Sequence, residues 1–344
     1  MSNHRKPLVS ICIPTYNSAQ YLDECLESAL SQTYQEFEVL VVDNQSSDET
    51  VSKVRTLAEH DSRIRLEQNT RNLGAVRNFN RCIELARGEW VKFLFSDDLL
   101  APTCLETMLS GRQQHTAMIA CRREIIFNDV GDEFRLEYAK FSAAVSIDSI
   151  FAGENSISPT QFCEVVLDLP GVNFVGEPAA VLLHQSLFKR FGGFNPYFVQ
   201  MADIEYWTRV GINVGLAYVP ETLATFRVHP GAISAKNTRE QPYRQKMLDP
   251  VILFHEFVFH PTFAPLRAAA AERRPPVDLS RMFVRRAVQA RTYAYSKAGR
   301  QAGLGHPARE EWQAAVAQYP RLERSLPVRM QLLRRRLARW IRRG

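Results

Sequence analysis

The stretch that decides the fold is Val9–Thr50, VSICIPTYNSAQYLDECLESALSQTYQEFEVLVVDNQSSDET. At its two ends lie short apolar runs with strand character, LVSICIP (Leu8–Pro14) and FEVLVVD (Phe37–Asp43). Between them Leu22, Cys25, Leu26, Ala29 and Leu30 recur at three- and four-residue intervals, the stripe of a helix that buries one face. Asn17 or Ser18 is the expected N-cap of that helix, and Asp48 the residue that opens the next. Strand, helix and strand in this order make a βαβ unit.

The rhythm continues outward through RIRLE (Arg63–Glu67) and WVKFLF (Trp90–Phe95), the four runs beginning 26 to 29 residues apart. Hairpins need far less chain than that, and crossover helices need about that much. The expected fold class is therefore α/β, a mostly parallel sheet flanked by helices. Ligands of such sheets sit beyond the carboxyl ends of the strands. Further on, the pattern predicts a helix after Pro102, strands at Met118–Phe127 and Phe134–Tyr138, and an irregular region to about residue 176. A buried strand is expected at Ala179–His184, a helix at Asp203–Val210 and a strand at Thr222–His229. From about Arg239 the chain turns Arg-, Ala- and Leu-rich with prolines as punctuation, the composition of a C-terminal α-helical extension. The expected division is a domain of residues 1–235 and an extension of residues 236–344.

Composition bounds the function. With 344 residues, 45% hydrophobic and 23% charged, the chain has an ordinary globular balance. It contains no apolar run of the ~18–20 residues needed to span a bilayer. Its start, MSNHRKP, leads straight into a strand pattern, so no export signal is expected. Six cysteines without a CxxC pair read as reduced thiols of a cytoplasmic protein. The net charge of +6 is unevenly placed: nine arginines and one glutamate in Arg321–Gly344 leave the other 320 residues at −2. No nucleic-acid partner is expected, since recognition would need basic groups on the fold as well.

Each strand of the first half runs into polar residues: Pro14-Thr15-Tyr16, then Asp43, then Ser96-Asp97-Asp98. Adjacent carboxylates after a buried strand are costly unless neutralised, and a divalent cation with oxygen ligands does that. The plainer reading has Asp97 and Asp98 simply starting a loop. Together with NLGAVRNFNRCIELARGEWVKFLFSDDLLAP, the opening stretch closely resembles the nucleotide-sugar-binding half of family 2 glycosyltransferases, over roughly residues 8–110 and more weakly to Ile233. The resemblance implies a GT-A (Rossmann-like) fold and inverting transfer of a sugar from a nucleoside diphosphate, UDP by default, to a saccharide or lipid-linked hydroxyl. Polysaccharide or glycolipid assembly would be the setting.

Carried onto this chain, the resemblance assigns Pro14, Thr15 and Tyr16 to the loop on the nucleoside and Asp43 to the base. Asn72, Gly74, Arg77 and Asn78 are matched to the family's Asn-Gly-Arg-Asn stretch, standing here in the spacing NxGxxRN. Ser96, Asp97 and Asp98 correspond to the ribose- and metal-binding acids, with Mg²⁺ or Mn²⁺ as cofactor and His229 in FRVHPG as a further metal or diphosphate ligand near Arg227. Asp203 matches the general base, with Glu205 as fallback, and Glu177 lies where sugar contacts are expected. Two positions depart from the common pattern: Phe95 replaces a leading acid and Ala202 precedes Asp203 where Glu is usual. They motivate the alternative of a catalytically inactive relative that binds nucleotide sugars or acts as a scaffold.

Other motifs fail their context. GLGHPA (Gly303–Ala308) follows no strand, and the histidines of HEFVFH (His255–His260) are five apart, on different helix faces. In the tail, Met330, Leu333, Leu337, Trp340 and Ile341 form one stripe among Arg334, Arg335, Arg336, Arg339, Arg342 and Arg343. That pattern suits a helix lying on an anionic membrane, hence peripheral attachment at the cytoplasmic face; it equally suits a terminal helix packed on the body with a basic rim.

Overall fold

A computed structural model describes residues 9–111, 116–296 and 308–341. Residues 1–8, GLGHPA up to Pro307, Arg342 and Arg343 lie outside the described residues, as do the side chains of the tail from Arg335 on. Two compact units emerge.

The first comprises residues 1–162, 172–196 and 202–232. Its opening strands are β1 (Val9–Thr15), β2 (Phe37–Asp43), β3 (Ile64–Gln68) and β4 (Trp90–Phe93), joined by helices α1 (Leu22–Leu30), α2 (Thr50–His60) and α3 (Ala75–Leu85). They pair in parallel in the order β3-β2-β1-β4. Every residue of β1, β2 and β4 is buried, as expected of a sheet covered on both faces. The α1 stripe of Leu22, Cys25, Leu26 and Ala29 is fully buried in the core with Ile11, Val39 and Val41. The sheet is mixed beyond β4, continuing through β8 (Val181–His184), β6 (Met118–Phe127), β9 (Leu216–Val228) and β5 (Leu99–Leu100), with β7 (Ser156–Ile157) also on β9. Because β8 is antiparallel to both β4 and β6, and β9 is parallel to β6, one edge collects several ends. These are the carboxyl ends of β1, β2, β4, β6 and β9 and the start of β8. That common edge carries the candidate site.

Three expectations need correcting. Phe134–Tyr138 is not a strand but part of helix α5 (Asp132–Ala144), which follows α4 (Cys104–Ser110). Its alternating FRLEY had suggested a strand, yet Asp132 and Glu133 complement the helix N-terminus and AKFSAA propagates the helix. Residues 129–176 also hold α6 (Ile147–Ile150) and α7 (Pro159–Asp168). Neither Asn17 nor Ser18 caps α1, which starts after Tyr21 without a side-chain cap. Asn17 Oδ1 instead accepts from Ser47 N at 2.8 Å, and Asp48 Oδ2 from Ala19 N at 3.1 Å, lacing together the loops after β1 and β2. All six cysteines are buried free thiols.

The second unit takes residues 163–171, 197–201 and 233–344 and is helical, built on Asp249–Phe259 and Leu279–Ala294. Phe254, Phe257, Phe283, Trp312 and Leu322 are buried in it. Val328, in the first turn of the tail helix Leu326–Ile341, is fully buried, so this end of the tail packs within the unit. No helix among the described residues is long and apolar enough to cross a membrane.

Candidate active site

The loops after β1 and β2 form the first wall. Asp43 ends β2 with no exposure, and its carboxylate accepts from Thr15 Oγ1 at 3.2 Å and from Ser46 N at 3.0 Å. It is thereby a loop organiser, whereas Tyr16 stands 49% exposed beside it on the chain as an open aromatic face. Pro14 is buried in β1 opposite Val42.

An asparagine ladder shapes the next loop. Asn44 Oδ1 accepts from Asn69 Nδ2 (3.0 Å) and Leu73 N (2.8 Å), and Asn44 Nδ2 donates to Asn72 Oδ1 at 2.9 Å. Asn72 Oδ1 also accepts from Gly74 N, and Asn78, buried on α3, donates to Val42 O. Gly74 has φ 82°, a left-handed conformation that a β-carbon would strain. The ladder presents Arg77, exposed on the first turn of α3 and without an ion pair among the described residues. Of these asparagines the family resemblance marks Asn72 and Asn78, but neither Asn44 nor Asn69. The signal was available in the density of Asn between residues 69 and 80.

Beyond β4, Phe95 stacks on Phe79 of α3 with centroids 4.9 Å apart, so an apolar residue here serves the loop's packing. Ser96 is half-buried in the same loop. The Asp97 side chain keeps 25% exposure, and its Oδ2 lies 3.1 Å from His229 Nε2. Asp98 differs: it is fully buried, its Oδ1 accepts from Arg227 N at 3.0 Å, and its Oδ2 has no hydrogen-bond partner among the described residues. Burial, then the neighbouring Asp97, push its carboxyl well above the usual range. Arg227 is consumed rather than free, donating to Asp97 O, Asn128 and Glu24 and lying 4.4 Å from the Tyr21 ring centroid.

The opposite wall comes from β6, β8 and α9 (Ala202–Val214). Register shifts opposite Cys121–Arg123 place the extra residues on β9, around Pro220–Leu223, while the consecutive Arg122 and Arg123 of β6 point to opposite faces. Arg122 pairs outward with Asp148, while Arg123 pairs with Glu177 just before β8. Asp203 sits half-buried on the first turn of α9. Its Oδ2 accepts from Asn173 Nδ2 at 3.0 Å and its Oδ1 from Ile204 N at 2.8 Å. Burial raises its carboxyl to about 7 against the hydrogen bond from Ile204 N, with Glu177 adding and Arg123 subtracting. Glu177 acts on Asp98 as well, and Tyr138 of α5 is raised by burial and then by Glu177, Asp203 and Asp98. These groups therefore share one electrostatic environment. Glu205, by contrast, is buried in a bidentate pair with Arg209 (2.9 Å to each oxygen), leaving Asp203 as the carboxylate with lone pairs to spare.

The residues facing the cleft suit a partly hydrated divalent ion. Asp97 and His229 offer an oxygen and a nitrogen side by side, and Mg²⁺-type sites need few protein ligands when phosphate oxygens complete them. Among the described residues no three acidic, His or Cys side chains converge on one point, so the protein by itself supplies an incomplete shell.

A doubly wound sheet with a polar, acid-lined carboxyl edge defines a class: α/β enzymes that hold a phosphorylated ligand at that edge. Residues 10–167 match the profile described as glycosyl transferase family 2, and the chain belongs to that family. It is 32% identical over 249 residues to the uncharacterized protein MT1568 of Mycobacterium tuberculosis, covering 72% of this chain and 74% of the relative. In structure it is similar to residues 1–349 of Staphylococcus aureus TarS in complex with UDP-GlcNAc (TM-score 0.57, 17% identity, 91% and 81% of the two chains). It is also similar to the mannosyltransferase PcManGT of Pyrobaculum calidifontis in complex with GDP-Man and Mn²⁺ (TM-score 0.53, 21% identity, 95% and 84%). Mixed α/β architecture of the GT-A kind is common to all three.

Proposed function

We propose that this family 2 glycosyltransferase moves a sugar from a UDP-sugar to a hydroxyl of a saccharide or lipid-linked acceptor, with inversion, in polysaccharide or glycolipid assembly. The observation that carries the reading is Asp203, a half-buried carboxyl raised to about 7 beside Glu177. A base works best with its affinity for protons near the working pH. The acceptor oxygen attacks C1 from the Asp203 side and gives up its proton to Asp203. The bond from C1 to the diphosphate breaks with its electron pair going to the departing oxygen. One displacement inverts the centre.

The other residues hold the donor. Tyr16 packs on the nucleobase, with Pro14, Thr15 and Asp43 fixing its loop. Asn72 and Gly74 keep the loop before α3 in shape, and Arg77 places its guanidinium fork on the diphosphate. Asp97 and His229 would hold Mg²⁺ or Mn²⁺, whose bound charge neutralises the leaving diphosphate. Asp98 stays behind them, fixing the end of β9, and Ser96 lines the ribose side. The complexes of TarS with UDP-GlcNAc and of PcManGT with GDP-Man and Mn²⁺ support a nucleotide-sugar donor and a cation in this fold. The Arg-rich tail would rest on an anionic membrane at the cytoplasmic face, near a lipid-linked acceptor.

Calorimetric titration of UDP, GDP and CDP, with and without Mn²⁺, tests the donor site. Mn²⁺-dependent binding of UDP above the others is expected. Asp203→Asn should retain that binding while losing about 10²–10⁴ in sugar transfer. Full transfer by the variant would remove Asp203 from the base role, and absence of nucleotide binding would sink the whole reading.

A further inference from the structure

Asp203 does not hold its own position. Asn173, in the loop after α7, reaches three groups with one side chain. Its Nδ2 donates to Asp203 Oδ2 (3.0 Å) and to Gly176 O (3.0 Å), and its Oδ1 accepts from Gly176 N at 2.9 Å. Gly176 O is also taken by Trp207 Nε1 at 2.9 Å, one helical turn beyond Asp203 on α9. Two side chains spaced four apart on one helix face thus grip the same glycine loop, Asp203 through Asn173 and Trp207 directly. The loop needs a glycine at its tip: φ is +116° at Gly176, and a β-carbon there would come within 3.2 Å of the Arg123 guanidinium. The next residue is Glu177, paired with Arg123.

We propose that Asn173 is a positioning residue for the transfer reaction, its amide holding the Asp203 carboxylate in one rotamer against the Gly176–Glu177 loop. The inference rests on Asp203 being the base. A carboxylate has about four lone-pair sites, and here Asn173 and Ile204 N occupy two, one on each oxygen. Those remaining point to a fixed place for the acceptor's proton. An amide N–H donated to a carboxylate favours its charged form, and the Asn173 amide stands 3.0 Å from Asp203 Oδ2, placed to do so. The charged and titratable groups facing Asp203 are Glu177 before β8, Arg123 on β6 and Tyr138 on α5.

The test labels aspartate at Cγ in the full-length protein and follows its carbon resonances against pH. The Asp203 signal is identified by its loss in Asp203→Asn. Asn173→Ala removes the donor, and Asn173→Asp also adds a like charge. Both should raise the Asp203 midpoint, the second by about one unit or more. Binding of UDP with Mn²⁺ should be unchanged, while hydrolysis of UDP-N-acetylglucosamine falls in kcat rather than rising in KM. Asp249, buried in the helical unit and raised to about 6, is the internal control. An Asp203 midpoint unmoved in both variants, or moved only together with that of Asp249, would overturn the proposal. The two failures separate, because full donor turnover in Asp203→Asn sinks the base reading whatever Asn173 does.

Discussion

At the scale of single residues, the site stores charge where the fold would rather not have it. Asp203 is half-buried and raised to about 7, against about 3.9 for a free aspartate. A folded-state value above the unfolded one means that the native protein binds this proton more tightly. The stability linked to it is complete below about pH 4 and is lost as pH rises through 7. The loss is on the order of 3–4 kcal/mol. Asp203→Asn carries no such charge, so it should melt several degrees above the wild type at pH 8.5 and level with it at pH 4. Parallel melting curves across this range would show that the carboxylate is not strained. The two departures from the family pattern also acquire a local explanation or part of one. Phe95 stacks on Phe79, and Ala202 is buried where α9 begins.

Among elements, the two edges of the sheet divide the work. At the amino edge, buried Glu38 accepts from Ser10 Oγ (2.6 Å), Arg87 N (2.8 Å) and Arg65, while Gly88 approaches Ser10 so closely that a β-carbon would sit 2.5 Å from its nitrogen. This cluster fastens β1, β2 and β4 at the edge away from the proposed chemistry. Glu38→Ala would leave Arg65 and two donors short of a partner, and should cost about 3 kcal/mol in urea unfolding. UDP affinity should be unaffected; a matching loss of affinity would mean the edges are coupled. At the carboxyl edge, α5 buries none of its thirteen residues and exposes Phe134, Leu136 and Phe141. An element with so little burial opens early, so its amides should exchange within seconds while those of β1 and β2 remain protected for hours or longer. Equal protection of α5 and β1 would contradict this.

For the whole molecule, the basic tail is the feature that charge alone would misread. Its +8 suggested a free anchor, yet Leu322 and Val328 are buried and Glu323 bonds Trp312 Nε1 and Arg291 at 2.7 Å each. Cutting the chain before Arg321 would therefore damage the helical unit as well as remove charge. Replacing Arg334, Arg335, Arg336, Arg339, Arg342 and Arg343 by Gln keeps the packed first turn and removes the charge. On vesicles with a third of anionic phospholipid, flotation of the wild type should be strong at low salt and fall steeply at high salt, and that of the Gln variant should be weak at both. Equal recovery of the two proteins would dispose of the membrane role.

The periodic elements were legible in the chain because burial imposes its period locally. VSICIPT, FEVLVVD and the Leu22–Ala29 stripe each carry enough apolar residues to name their own structure, and their spacing names a parallel sheet. Pairs of acids at strand ends were legible for the same reason, since a charge that follows a buried strand stands out. Other features depend on partners far away in sequence and had no such local mark. Helix α5 wore a strand's alternation, Asp98 looked like Asp97 yet lies buried under Arg227, and Glu205 looked like a second base until Arg209 claimed it. Asn173 and Arg123 were invisible because a hydrogen bond across 30 residues and an ion pair across 54 have no period. Hydrophobic burial is read from neighbours along the chain, whereas the partner of a polar group is chosen only when the sheet closes and brings its edge together.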